Sequence, residues 1–411
     1  MEVNKMELEE LRKLAQDTVK ETIDPLLQEK ENEISKMIKR DKEAEDKSLI
    51  FGRMIRALVN GKGDPERAIY FAKKNWGEDD AVIKALAAGT PEAGGFLVAP
   101  EYYESVMTAL RATAVVRRMG AVVMPVTSGV LNIPTMSGAT ATYVGENSDI
   151  TVQSPTFGQI ALTFKKLAAL VPISNDLLRY AAYDVDALVR DDIVNAIAER
   201  EDLAFIRGDG TNNQPKGIRT WTDWVTAESP ATEDTDNDNL VWATAAGTDN
   251  ALTIAEITRD LGRLILLLRA NKVKFIRPGW IISPRVEYAL STLRDSNGNW
   301  AFPEMKQGLL LNYPFAVSEQ IPENLTVNSI TNCTEVYLVD FSEALIIDSG
   351  TLEVQVSDVA TYSSSGTVYS AFSQDQTIIR VIARHDFGMR RKEAAAVLEK
   401  VEWGKSGITI S

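Results

Sequence analysis

The sequence predicts an α+β fold carrying a charged helical extension in front of it. Three observations lead there. Strand-like and helix-like runs interleave without the regular strand–helix alternation of a doubly wound parallel sheet. Hydrophobic residues make up 45% of the 411 and charged residues 25%, the balance of a globular chain with a sizeable core. Residues 1–50 stand apart, with 14 acidic and 10 basic residues and no aromatic.

In that first segment Leu8, Leu11, Ala15, Thr18 or Val19, Thr22 and Leu26 recur at helical spacing, and Ile34, Met37 and Ile38 form a second run beyond Pro25. Narrow apolar stripes among dense charge predict long helices that pair loosely, as coiled coils do. Residues 48–87 read as shorter helices. Gly61 to Pro65 is a break and a restart, with Asp64 as N-cap, Pro65 in the first helical position and Trp76-Gly77 as the stop. Ala85 to Gly95 is small and Gly-rich, and the major boundary of the chain is placed there.

Beyond it, residues 120–133 and 162–173 are β-branched and punctuated by glycine. The Thr-, Ser-, Gly- and Asn-rich stretch between them predicts a protruding two-stranded loop. No lysine occurs between Lys84 and Lys165. A helix follows over 184–207, with Asp184 as N-cap, with Val185, Leu188, Val189, Ile193, Ile197 and Ala204 on one face, and with Gly208 as its stop. Thr253 to Glu256 is a capping box that opens a helix whose apolar face includes Ile257, Leu261, Leu264 and Leu268. Trp280-Ile281-Ile282 is a buried-strand run, and Ser283-Pro284 starts a helix reaching about Leu293. The rest is strand-like over 335–341, 344–348, 351–356 and 377–383.

Composition removes several functions. A net charge of -14 disfavours general nucleic-acid binding, which needs a basic face. One cysteine, Cys333, forbids an internal disulfide, and one histidine, His385, leaves no zinc site built from several Cys and His ligands. His385 reads as structural and Cys333 as a small packing residue. Gly208 to Gly217 lacks the Gly-Lys-Ser/Thr ending of a phosphate loop and follows a helix, so it reads as a turn. Asp234 to Asp238 resembles the start of a calcium loop, but Asn239 and Ala245 stand where glycine and glutamate belong, so it reads as a solvated acidic loop. The cluster Arg384, Arg390, Arg391 and Lys392 is too small to set a nucleic-acid partner. No constellation supports catalysis, a metal or a cofactor. The polar N-terminus and the lack of an apolar run near ~20 residues predict no membrane span and residence in a cytoplasm.

Five pieces, in order, carry a resemblance: Gly94 to Pro100, Glu146 to Ile150, Phe205 to Ile218, Asp340 to Ala344 and Arg380 to Gly388. Together they resemble the major capsid proteins of tailed bacteriophages, which share the Hong Kong 97-like fold. The resemblance implies a helical scaffolding-like region at 1–84, with a candidate protease junction at Lys84–Ala85. It implies a linker and N-terminal arm at 85–130, and an extended loop at 131–172 whose Tyr143, Glu146 and Asp149 meet other subunits. It implies a peripheral domain at 173–214 and 341–392, with 184–207 as spine helix and Tyr362, Ser363 and Thr367 at its tip. An axial domain would take 215–340 and 393–411. The implied function is self-assembly into hexamers and pentamers of an icosahedral shell around double-stranded DNA, without sequence-specific binding. Portal, maturation protease and decoration proteins are the implied partners, and the virion, assembled in the bacterial host cytoplasm, is the implied location. An encapsulin-type nanocompartment is the alternative, although it should lack residues 1–84. One branch of the family cross-links its shell through a loop lysine, a strand-end asparagine and a glutamate. The asparagine and glutamate positions here are Asp375 and Ile382, so non-covalent shells are expected.

Overall fold

The computed structural model describes residues 52–77, 82–83, 86, 96–97, 110, 113–136, 143, 157–176, 185–222, 239–244, 251–327, 330–364, 366–405 and 409–410. The expected coiled coil at 1–50, the N-cap Asp184 and the acidic loop Asp234 to Asp238 lie outside them. A helical segment at 52–60 turns through Gly61 to Asp64 into helix α1 (Pro65–Trp76). Asp64 caps α1 by accepting from the Glu66 amide at 3.0 Å, and Pro65 sits where no amide partner is needed. Strand β1 (Phe96–Leu97) and helix α2 (Val115–Arg118) precede β2 (Val122–Pro125), β3 (Val130–Met136), β4 (Phe157–Thr163) and β5 (Lys165–Ser174). The long helix α3 (Val185–Arg207) is followed by α4 (Ile218–Thr222), β6 (Leu240–Trp242), β7 (Ala251–Leu252), α5 (Ile254–Ala270), β8 (Pro278–Ile282) and α6 (Pro284–Thr292). The chain closes with β9 (Leu309–Leu310), β10 (Tyr313–Val317), β11 (Leu325–Val327), β12 (Ile330–Asp340), β13 (Ala344–Ser357), β14 (Thr361–Ser364), β15 (Thr367–Ser370), β16 (Gln376–Met389), β17 (Ala395–Val401) and β18 (Thr409–Ile410).

Two mixed sheets organise these elements, as α+β requires. The first runs β1-β13-β16-β5, with β2 lying parallel along β13. The second runs β6-β17-β12-β8-β10-β9, with β11 on β12. Strand β8 is paired on both sides and has Trp280, Ile281 and Ile282 at 0% exposure, which explains its unbroken apolar run. The capping box at Thr253 and Glu256 starts α5, whose Ile257, Leu261, Leu264 and Leu268 pack into the same core as β8. Ser283 caps α6 through the Val286 amide.

A second core lies on one face of the five-stranded sheet. Three rungs in register build that face: Val356–Ile379–Val171, Val354–Val381–Ala169 and Leu352–Ala383–Leu167. Helix α3 contributes Ile193, Val194, Ile197 and Ala198 to this core, and residues 52–86 contribute Met54, Ala57, Leu58, Ala68 and Ala72 among others.

Three sequence expectations change. The runs 344–348 and 351–356 are one strand, β13. A register shift between Asp348 and Leu352 absorbs the Ser349-Gly350 break, with Gly350 at φ +66. Residues 165–172, placed in the extended loop, belong to β5 and pair with β16, because their alternating apolar residues complete the buried rungs. The boundary at 85–95 does not separate two cores, since side chains on both sides of it share one.

Candidate functional site

A buried layer of charge lies between the two cores. Helix α3 enters the second core with Ile193 and Ile197 and the first with Phe205 and Ile206; Glu201 and Asp202 sit between. Strand β13 repeats the order with Leu352, then Asp348, then Ile346, and β16 with Val381, then His385, then Phe387. Arg117 of α2 completes the layer. Its Nε pairs with Glu201, and its Nη2 lies 3.4 Å from Asp348. The Asp202 carboxylate accepts from the Val115 and Val116 amides at 2.7 and 3.2 Å, satisfying the first turn of α2. His385 packs edge-on against Phe205, with centroids 5.3 Å apart, and burial pushes its pKa down, so it is held neutral. That is a structural role. Cys333 is buried too, and burial raises its pKa away from a reactive thiolate.

Burial pushes Asp202 up to about 6, overriding the two amides that favour its charge. Its folded pKa therefore exceeds the ordinary 3.8. The folded chain keeps a proton that the unfolded chain releases between about pH 4 and 6, so stability from this group falls as pH rises through that window. Asp202→Asn keeps an acceptor for the amides without the charge. Denaturant unfolding should show the wild type losing on the order of 3 kcal/mol relative to this variant between pH 4 and pH 7.

A second buried network joins α3, α4 and the seven-stranded sheet. Arg207 pairs with Glu335 at 3.1 Å, and Arg219 with both Glu335 and Glu399. The 208–217 segment is the expected turn. A Cβ on Gly208 would lie 2.2 Å from the Pro215 carbonyl oxygen, and the Thr211 amide donates to Asp209. Among the described residues no group of His, Cys, Asp and Glu is placed to hold a metal. No described helix is long and apolar enough to cross a membrane.

Two hairpins stand outside the two large sheets as strand pairs of their own. Strands β3 and β4 form a ribbon, with Val130 opposite Thr163 through to Met136 opposite Phe157. Its base is anchored by Leu162, which fills the space where a Cβ on Gly388 would sit, and by the Thr163 amide donating to Asp386 at 3.0 Å. Tyr143, beyond the ribbon, is fully exposed, while Glu146, Asp149, Lys84 and Ala85 lie outside the described residues. The second feature is the β14–β15 hairpin, which holds Tyr362, Ser363 and Thr367; Tyr362 stacks on Tyr369 at 5.5 Å. In and beside it Val359, Val368 and Phe372 stand 67%, 71% and 78% exposed, apolar residues that sequence reasoning did not single out.

Asp375 sits at φ +47 in the turn before β16, where its carboxylate accepts from Asn175 Nδ2 at 2.6 Å. Ile382 is buried inside β16 between Glu353 and Ala168. Lys165 and Lys166 pair with β16 at the sheet edge and are not carried on the ribbon.

The sequence pattern of the phage capsid family matches residues 94–400. A major capsid protein of Klebsiella oxytoca phage phiKO2 is 36% identical over 346 residues, covering 83% of this chain and 76% of that protein. A capsid polyprotein of Pseudomonas phage PAJU2 is 23% identical over 380 residues, covering 87% of this chain and 54% of that protein. A solved structure from Mycobacterium phage Ogopogo superposes with a TM-score of 0.50 at 18% identity, covering 70% of this chain and 92% of its own, a likeness of fold.

Proposed function

The chain belongs to the phage capsid family, and we propose that its copies close as hexamers and pentamers into an icosahedral shell around double-stranded DNA. Forming the capsid is its function, and its fold is the Hong Kong 97-like one. The observation that carries the assembly reading is the ribbon of β3 and β4, hydrogen-bonded as a two-stranded sheet of its own and tethered at one end. One face of the pair packs Leu131, Ile133 and Ile160 with Leu162 against Leu345 and Ile347, and the other, with Val130, Asn132 and Ala161, is exposed surface that a neighbour can take.

The body supplies the rest. The five-stranded sheet with α3 forms the peripheral domain, and the β14–β15 hairpin is its tip. The seven-stranded sheet with α5 and α6 forms the axial domain at the capsomer centre. Contacts of this kind are heterologous, so each copy presents one surface and receives another, and rings close into a cage. Tyr143, Glu146 and Asp149 of the loop and Tyr362, Ser363 and Thr367 of the tip are the contact residues. The chain's net charge of -14 keeps packaged DNA from adhering to the inner wall and leaves no role for sequence-specific binding. Portal, maturation protease and decoration proteins are its partners in the virion, assembled in the host cytoplasm. We assign the chain no catalytic step.

The shell is non-covalent. Isopeptide formation needs an amide that can lose ammonia and a carboxylate that can take the proton. Asp375 offers a carboxylate already held by Asn175, and Ile382 has no proton to move. Sedimentation of the purified chain at high concentration should yield particles far larger than a capsomer. In hot detergent those particles should run as one 45.3 kDa band; a ladder of covalent multimers would refute this part of the reading.

A further inference from the structure

The sequence places the detachable region at residues 1–84, but the packing divides it elsewhere. Met54, Ala57, Leu58, Ala68, Ala72 and Leu86 are at most 2% exposed. They share a hydrophobic cluster with Leu352, Val354, Ile379 and Val381 of the five-stranded sheet and with Ile193 and Ile197 of α3. The turn between the helical segment 52–60 and α1 is fitted to that sheet. Gly63 has φ +78, and a Cβ there would lie 2.7 Å from the Val356 carbonyl oxygen, so this position combines a left-handed backbone with close backbone approach. Next to it, Lys62 Nζ lies 3.0 Å from Asp358.

We propose that residues 52–77, with Val82 and Leu86, are the permanent cover of the apolar face of the five-stranded sheet, kept in the shell subunit, and that any detachable scaffold ends before residue 52. The four sheet side chains are at most 2% exposed beneath this cover and α3. Taking the cover away puts aliphatic rungs from adjacent strands in water as one contiguous patch, the kind of surface that aggregates. Trimming at Lys84–Ala85 would do that to every subunit, whereas trimming upstream of residue 52 leaves the second core closed. The role in the shell rests on the capsid reading; the packing does not.

The test uses the full-length chain before assembly, so a failure to form shells leaves its result standing. Prolonged trypsin treatment of the wild type should leave a folded product that still holds residues 52–86, joined or co-eluting. A soluble folded product without them overturns the proposal. In Ala68→Arg, cutting at Lys73 and Lys74, which lie on the exposed side of α1, should become at least about tenfold faster as the cover opens. Ala72→Ser, a milder change in the same interface, should shift the rate in the same direction by a smaller factor. Unchanged rates in both variants overturn the proposal. So does a subunit from mature particles whose intact mass begins at Ala85, while a mass beginning upstream of residue 52 supports it.

Discussion

Arg117→Ala is expected to cost about 3–5 kcal/mol of stability, enough to leave much of the chain aggregated on expression. The reason is geometric. Arg117 is the cation that faces Glu201 and Asp348 in a layer where these side chains are at most 7% exposed. Removing it leaves two carboxylates in a low-dielectric space, where desolvation is costly and nothing replaces the lost Coulomb energy. The same change loosens α2, which leads from the N-terminal segment into β2. Arg117→Met combined with Glu201→Gln should recover part of the loss, because it deletes the buried charge along with its partner. Urea unfolding of the single and double variants measures both effects; equal stability of Arg117→Ala and wild type would remove the charged layer from the account.

Val368→Asp together with Phe372→Asp should abolish shells while leaving the subunit folded. Both side chains are more than 70% exposed, so the charges meet water in the free chain and cost it little. In a shell built through the hairpin tip they meet a neighbour's tip. Like charges brought together and desolvated at each contact are unfavourable, and the penalty repeats at every copy of the interface. Particle yield on a sucrose gradient should fall by at least about tenfold, with the far-ultraviolet dichroism and melting midpoint of the free subunit unchanged. Normal yield would mean that the tip is not an assembly contact.

What could be read from the sequence was local. Asp64, Thr253 and Ser283 are caps defined within three residues of the helix they start, so their chemistry is visible in one dimension. The ribbon was only partly legible: the β-branched arms at 120–133 and 162–173 fall mainly on β2 and β5, while most of β4 lies in the polar stretch between them. The joining of β13 across Gly350 did not show, because a glycine reads as a break while the partner strand β16 bridges it. Glu201 and Asp202 are absent from the apolar face read for 184–207. Only the meeting of α3 with two cores, one at each end, turns them inward. The docking of 52–86 was hidden for a related reason. Ala57, Ala68 and Ala72 form a weak apolar stripe whose partner lies some 280 to 330 residues further along the chain, at Leu352 to Val381. Val368 and Phe372 were not singled out because nothing in the one-dimensional pattern marks an apolar residue as exposed.

The central claim is that this chain builds a shell through its ribbon and its tip. Electron microscopy of concentrated, purified full-length protein, carried to a reconstruction, tests it directly. The account predicts closed particles in which the β3–β4 ribbon and the β14–β15 hairpin are buried against neighbouring subunits. Protein that stays as discrete small oligomers, or shells in which both features face solvent, would contradict it.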